Sequence, residues 1–179
     1  MTAMSITAIL RRKRLSSFHL ISSLAMIQRK QTIFLFLAFL ATAVCLCLPL
    51  GSIELEKMGV EPVLYNLALV EQVDNGVHYA FSYMPLFVIL ALATILEFVT
   101  IFLFKNRRRQ SRLCALNLLL LFAWLLLFAY YRYFVLNMKG EFILSWSSVL
   151  PFVAAVFTYL AYKGIQADER LVRAADRIR

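Results

Sequence analysis

A carboxylate and an amide stand out because each lies inside a segment that is otherwise apolar. Glu97 precedes a run of basic residues by eight positions, and Asn117 follows that run in the next apolar segment. An ionisable residue inside a membrane helix is costly unless it is neutralised or paired, which makes Glu97 a candidate site for proton or cation coupling. The alternative is a hydrogen-bonded glutamate that holds helices together, at about 1 kcal/mol for each polar contact.

The basic run next to Glu97 supplies a second group of candidate residues. Four of them form the turn itself: Lys105, Arg107, Arg108 and Arg109. Arg112 opens the following apolar segment and is, with Asn117, a candidate partner of Glu97, as are Thr32 and Lys30 near the first apolar segment. Asn117 and Trp124 lie seven positions apart, which indicates the packed face of one helix.

Other chemistry has no sequence signal. The chain contains no Gly-rich phosphate loop, nucleophile elbow or His–Glu zinc motif. Cys45, Cys47 and Cys114 have no histidine partners at zinc-site spacing and form no disulfide framework. We therefore predict that the protein is not an enzyme and takes neither a cofactor nor a metal.

The composition indicates a membrane protein. Hydrophobic residues make up 62% of the 179 residues, whereas soluble domains usually contain about 45–50%. The net charge is +9, but the basic residues flank apolar runs instead of forming one patch. This arrangement favours a membrane topology over nucleic-acid binding.

Four apolar segments are predicted to cross the bilayer, at about 32–50, 84–104, 113–131 and 148–165. The first contains nineteen residues without a charge, which as a helix cover about 28 Å, close to the thickness of the hydrocarbon layer. The predicted fold is an all-α, four-transmembrane-helix up-and-down bundle.

The basic residues predict the orientation of this bundle. With both termini in the cytoplasm, sixteen of the nineteen basic residues lie on that side, as the positive-inside rule requires. The outer loops instead carry acidic residues: Glu54, Glu56, Glu61, Glu71, Asp74 and Glu141.

The two outer loops carry strand signals. Residues 52–57 alternate apolar and polar side chains, 63–73 favour strand, and a hairpin turn at Asp74–Gly76 leads into 77–83. A second hairpin is predicted from 134–137 and 141–146. Together they predict a small antiparallel sheet outside the membrane, with a short helix over 63–70 as the alternative.

The two ends of the chain lie outside the predicted spans. Residues 1–25 contain a basic cluster and a serine-broken apolar stretch, and we interpret them as a mis-assigned start, with a disordered tail or a surface helix as alternatives. Residues 165–179 have an apolar stripe, which predicts a cytoplasmic amphipathic helix on the membrane surface. The alternative is a straight extension of the fourth helix.

Three sequence stretches resemble a known family: Met26 to Thr32 (MIQRKQT), Arg112 to Asn117 (RLCALN) and Asp168 to Arg179 (DERLVRAADRIR). The chain from residue 26 to residue 179 resembles a bacterial family of four-span membrane proteins catalogued as domain of unknown function 4293. The resemblance implies a multi-pass protein of the bacterial inner membrane and no known activity.

The predicted function is that of a structural, accessory or interaction protein in the lipid bilayer. Its partners would be anionic lipid at the basic turn and C-terminal helix, together with another membrane protein or further copies of itself. A small proton- or ion-coupled transporter that uses Glu97 is the alternative. A lipid-modifying enzyme would need polar residues clustered at one interface, and the sequence shows none.

Overall fold

A computed structural model describes residues 31–54, 61–73, 76–103, 106–136 and 140–176 of the chain. Its helices are α1 (Gln31–Cys47), α2 (Met84–Phe102), α3 (Arg107–Tyr130) and α4 (Leu150–Asp176). Its strands are β1 (Gly51–Glu54), β2 (Val63–Leu64), β3 (Leu69–Val73), β4 (Gly76–Ala80) and β5 (Glu141–Leu144). The fold is therefore mostly helical with a small antiparallel sheet.

The helices form an antiparallel bundle in which each helix packs on the next. On α1, Phe39 lies against Phe98 of α2, with ring centroids 5.6 Å apart, and Phe34 stacks on Phe157 of α4 at 6.2 Å. Helix α3 packs along both α2 and α4. A core that includes Trp124 and Leu121 of α3 fills the centre.

The sheet lies at the end of the bundle where α1 and α3 finish and where α2 and α4 begin. Its strand order is β4-β3-β2-β1-β5, and every neighbouring pair is antiparallel. Leu64 lies opposite Leu69, and both side chains are fully buried. Ile53 lies opposite Phe142, and both are at most 5% exposed. One face of the sheet therefore belongs to the protein core.

Side-chain hydrogen bonds fasten the sheet to the helices. Asn66, in the turn between β2 and β3, donates through Nδ2 to the Cys45 carbonyl at 2.8 Å, where α1 ends. The Tyr131 hydroxyl donates to the Ser82 carbonyl at 3.1 Å. The first bond satisfies a carbonyl near the C-terminal end of α1, where intrahelical donors run out. The second joins the segment between β4 and α2 to the chain that follows α3.

The structure confirms the predicted antiparallel sheet but changes its strands. The alternative helix over 63–70 is wrong, because β2 and the start of β3 lie there. The predicted hairpin between 134–137 and 141–146 is also wrong. The chain continues past α3 as a π-helical turn, Tyr131–Leu136, and β5 pairs with β1 instead.

Helix boundaries differ most from the predicted segments at the start of α3 and at the end of α4. Helix α3 begins at Arg107, so it includes the arginines that were assigned to a turn. Helix α4 runs without interruption to Asp176, so the predicted separate amphipathic helix is wrong and the straight extension is correct. The proposed start at Met26 and the residue Lys105 lie outside the described residues.

The outward surface of the bundle carries many large apolar side chains. Leu119, Phe122 and Leu126 of α3 are each more than 60% exposed. Among the described residues, three helical segments are long and apolar enough to cross a membrane: Phe81–Phe102, Arg107–Leu136 and Trp146–Leu171. The shorter apolar helix is α1.

Candidate functional site

The buried carboxylate of Glu97 is the point at which all four helices meet. Thr42 of α1 donates from its hydroxyl to Glu97 Oε2 at 2.7 Å. Asn117 of α3 donates from Nδ2 to Oε1 at 2.8 Å, and the Thr158 hydroxyl of α4 donates to the same oxygen at 3.4 Å. Glu97 is only 1% exposed.

Helix geometry explains why these side chains converge. Glu97 lies on the buried stripe of α2 that includes Leu90, Ala93 and Thr100. Asn117 lies on the buried stripe of α3, one turn from Leu121. Because side chains three and four residues apart share one helix face, both polar groups point into the bundle with the apolar core.

The Thr42 hydroxyl lies within hydrogen-bond distance of three acceptors but has only one proton to donate. Besides Glu97, its Oγ1 lies 3.3 Å from the Ala38 carbonyl and 3.1 Å from the Phe39 carbonyl of its own helix. A hydroxyl donates one proton, so it serves either the carboxylate or a main-chain carbonyl. In the second case a proton on Glu97 completes the 2.7 Å contact to Thr42. The site therefore accommodates both the ionised and the neutral form of Glu97.

Of the predicted partners, the structure brings Asn117 to Glu97. Arg112 instead lies on the exposed side of α3, and Lys30 lies outside the described residues. Sequence reasoning missed Thr42 and Thr158. Both were visible as hydroxyl residues near the middle of apolar segments, a position that favours a hydrogen bond between helices.

The side-chain amide of Asn117 binds Glu97 through its nitrogen. No described residue donates a hydrogen bond to its buried Oδ1. Cys114 lies one turn away on the same buried face and is fully buried. The described residues contain no cluster of three or more His, Cys, Asp or Glu side chains that could hold a metal ion. What the arrangement can do chemically is hold a proton and join helices.

A second polar cluster lies at the opposite end of the bundle from the sheet. Arg107, at the start of α3, forms an ion pair with Asp168 of α4, whose carboxylate is 1% exposed. Arg108 lies 3.5 Å from Glu169, and Arg173 also pairs with Glu169. The basic run predicted as a topology signal therefore also fastens α3 to the C-terminal part of α4.

Two side-chain amides, those of Gln110 and Gln31, also lie at the end of the bundle opposite the sheet. Gln110 donates through Nε2 to the Thr100 carbonyl at 3.3 Å, near the end of α2. Gln31 of α1 packs over Gly164 of α4, where an added Cβ would lie 3.0 Å from Gln31 Cγ. The small residue at position 164 lets α1 approach α4 closely.

Comparison with known families adds one finding to this geometry. The family described as a domain of unknown function (DUF4293) matches residues 27–178. The chain belongs to this family. Membership in DUF4293 brings no activity or site, so the Glu97 cluster and the Arg107–Asp168 pair are known from the structure alone. Comparison with curated proteins yields no match.

Proposed function

We propose that this protein is a four-span integral protein of the bacterial inner membrane, with a structural or accessory role and no catalytic one. The observation that carries the proposal is Glu97, whose carboxylate receives hydrogen bonds from each of the other three helices. A carboxylate bonded in this way ties the bundle together, because separating any one helix would break a buried polar contact.

The surface of α1 supports counting it as a fourth span. Ile33, Phe36 and Leu40 of α1 are each more than 40% exposed, and such a face is stable in contact with lipid chains. The 17 residues of α1 cover about 26 Å, slightly less than the hydrocarbon layer. A small local thinning of the bilayer accommodates such a difference.

The charge at the two ends supports the orientation. Arg107, Arg108 and Arg173 lie at the end opposite the sheet, whereas Glu54 and Glu141 lie in the sheet. Basic residues near the ends of spans are retained in the cytoplasm. We therefore place the sheet outside the cytoplasm and both chain ends inside it.

The remaining exposed arginines suit a second role. Arg109, Arg112 and Arg170 are exposed and have no ion pair within the described part of the chain. Each basic residue near an anionic membrane surface contributes about 1 kcal/mol. We propose that they contact anionic lipid or an acidic partner at the cytoplasmic surface.

A proton- or ion-coupled transporter is the alternative, favoured by the ability of the site to hold Glu97 in either protonation state. Transporters usually bind their substrates where helices are interrupted near the membrane midplane. Helices α2, α3 and α4 are continuous past Glu97, Asn117 and Thr158. The geometry therefore supports a helix lock better.

Affinity purification of the full chain in mild detergent tests the two functions. An accessory protein is expected to bring down a discrete partner in fixed stoichiometry. Proteoliposomes made with the same preparation should show no proton flux above that of the Glu97→Gln variant. A lone oligomer with Glu97-dependent flux would contradict the proposal and establish coupling.

A further inference from the structure

The outer face of the sheet carries an unbroken row of side chains beside the helix ends. Direct cross-strand partners point to the same face, and the register joins five of them: Tyr79, Val70, Val63, Ser52 and Ile143. Tyr79 is 54% and Ile143 is 46% exposed. This row, the outer row, is apolar except for Ser52, although it faces away from the core.

The outer row lies at the membrane-proximal edge of the sheet. Strands β1, β4 and β5 each join a helix near this edge, because β1 follows α1, β4 leads into α2 and β5 leads into α4. Two residues further along the strands, on the same face, Glu54 and Glu141 are direct partners. The face therefore changes from apolar to acidic with distance from the bundle.

Two grooves adjoin along the outer row. The first has a volume of about 470 Å³ and is lined by Leu46 of α1, Phe87 of α2, Tyr65 and Tyr79, among others. The second has a volume of about 420 Å³ and includes Ile143, Ser52, Ser145 and Glu61. Val70 lines the first groove and its direct partner Val63 lines the second, so the two grooves are neighbours.

The first groove continues the apolar surface of the helices. Val44 of α1 and Val88 of α2, close in sequence to the lining residues Leu46 and Phe87, are both more than 40% exposed. Tyrosine side chains favour the boundary between lipid chains and water. A molecule in this groove would be in contact with the acyl chains of the surrounding bilayer.

We propose that the two grooves together bind one phospholipid whose headgroup carries a primary ammonium. The acyl chains occupy the first groove, and the ammonium donates hydrogen bonds to the Glu61 carboxylate and to the hydroxyls of Ser52 and Ser145 in the second. The inference rests on the proposed membrane insertion. It adds the class of lipid and the face that recognises it.

The acidic side chains of this face favour an aminophospholipid over an anionic lipid and over a second copy of the protein. An anionic headgroup would lie against Glu61 and near Glu54 and Glu141, which repel it. A second copy seated face to face would bring the same three carboxylates of both chains together. The ammonium of an aminophospholipid has the complementary sign and three donors for the oxygens of the second groove.

Phe87 lines the first groove and offers a position for a fluorescent probe of the acyl chains. The Phe87→Trp, Trp146→Phe variant carries one indole in this groove, and its other tryptophan, Trp124, is fully buried. Brominated acyl chains quench indole fluorescence only at short range. The full-length variant in phosphatidylcholine nanodiscs, with a minor fraction of brominated phosphatidylethanolamine or brominated phosphatidylglycerol, therefore reports which lipid places its acyl chains in the first groove.

We expect brominated phosphatidylethanolamine to quench the indole at position 87 roughly threefold more than brominated phosphatidylglycerol, a preference of the size that one exposed ion pair supplies. Glu61→Gln should bring the ratio close to one. Glu71→Gln is the matched control, because Glu71 lies in β3 on the opposite face of the sheet by register, and it should leave the ratio unchanged.

Two outcomes would overturn the inference. Equal quenching by both lipids would show that the grooves do not select a headgroup. Protection of the indole at position 87 from every brominated lipid by a protein bound over this face would show that a protein occupies it. Failure of the proposed membrane insertion is distinguishable from both, because carbonate washing would then release the chain from cell membranes.

Discussion

At the scale of single residues, Glu97 shows how a membrane bundle tolerates a buried carboxylate. Its two oxygens receive donors from Thr42, Asn117 and Thr158. Each of these donors comes from a different helix, so no two of the contacts are redundant. The stability of the bundle should therefore depend on the hydrogen bonds of this side chain more than on its charge.

Two substitutions of Glu97 separate the contribution of its hydrogen bonds from that of its charge. Glu97→Ala removes all three contacts and should destabilise the protein by about 2 kcal/mol, at roughly 0.6 kcal/mol for each hydrogen bond between membrane helices. Glu97→Gln retains acceptor and donor groups of the same size and should cost less than about 1 kcal/mol. Thermal unfolding in detergent measures both variants.

Equal losses from the two Glu97 variants would contradict a helix lock. They would show that the charge of Glu97, and not its hydrogen-bonding shape, carries the effect. Thr158→Val is the matched control at the longest of the three contacts, 3.4 Å. It should cost the least of the single changes in the cluster.

Gly51 is required by close packing within the sheet. A Cβ at this position would collide with both the Phe142 ring and the Ile143 carbonyl. Gly51→Ala should therefore cost about 1–3 kcal/mol, because the backbone of β5 cannot yield as a flexible side chain can. Gly164→Ala is the control, since its added Cβ meets the side chain of Gln31. A milder effect at position 51 than at 164 would contradict this account.

At the scale of elements, the ion pairs make the C-terminal part of α4 a packed element of the bundle. Asp168 is buried against Arg107, which is itself 27% exposed. The Arg108–Glu169 pair is more open, with the arginine side chain 75% exposed. Burial decides which pair matters, because exposed pairs contribute between zero and about 1 kcal/mol.

Asp168→Asn should destabilise the protein more than Glu169→Gln. The first change leaves Arg107 beside α4 without its counter-charge and should cost about 1–3 kcal/mol, less than for a fully buried pair. The second should cost less than about 0.5 kcal/mol. Unfolding in detergent gives the difference, and limited proteolysis near the end of α4 should show loosening in Asp168→Asn only. The opposite order would mean that Asp168 is not a structural anchor.

For the whole molecule, the proposed topology predicts on which side of the membrane each end of the bundle lies. In a chain without its native cysteines, Glu141→Cys should react with a membrane-impermeant maleimide in intact spheroplasts. Arg170→Cys and Arg29→Cys should react only after permeabilisation, because basic flanks stay in the cytoplasm. Labelling at position 29 from outside, with position 170 protected, would mean that α1 does not cross the membrane.

Much of the helical part of this architecture could be predicted from local composition. The ends of α2 and the start of α4 near Pro151 follow from apolar runs flanked by charges, turns or prolines. The sheet followed from alternation and the hairpin turn at 74–76. These signals depend on residues adjacent in sequence, so they persist without knowledge of the fold.

Amphipathic patterning alone could not decide two of the boundaries. The apolar stripe in 165–179 suits a surface helix and an extended α4 equally well, because both bury the same face. The contacts of Asp168 and Glu169 with Arg107 and Arg108, 61 residues earlier in the chain, hold the extended α4 against α3. The same applies to β5, which resembles a hairpin arm in sequence but pairs with the distant β1.

Local sequence was enough to predict apolar helices, a basic run after the second of them, and Glu97 as the polar residue to explain. That Thr42 and Thr158 join Asn117 at Glu97 emerged from the packed bundle. Composition acts between residues that are neighbours in sequence. Hydrogen bonds between helices depend instead on how each helix is rotated about its axis and shifted along it, and both are set when whole helix faces pack together.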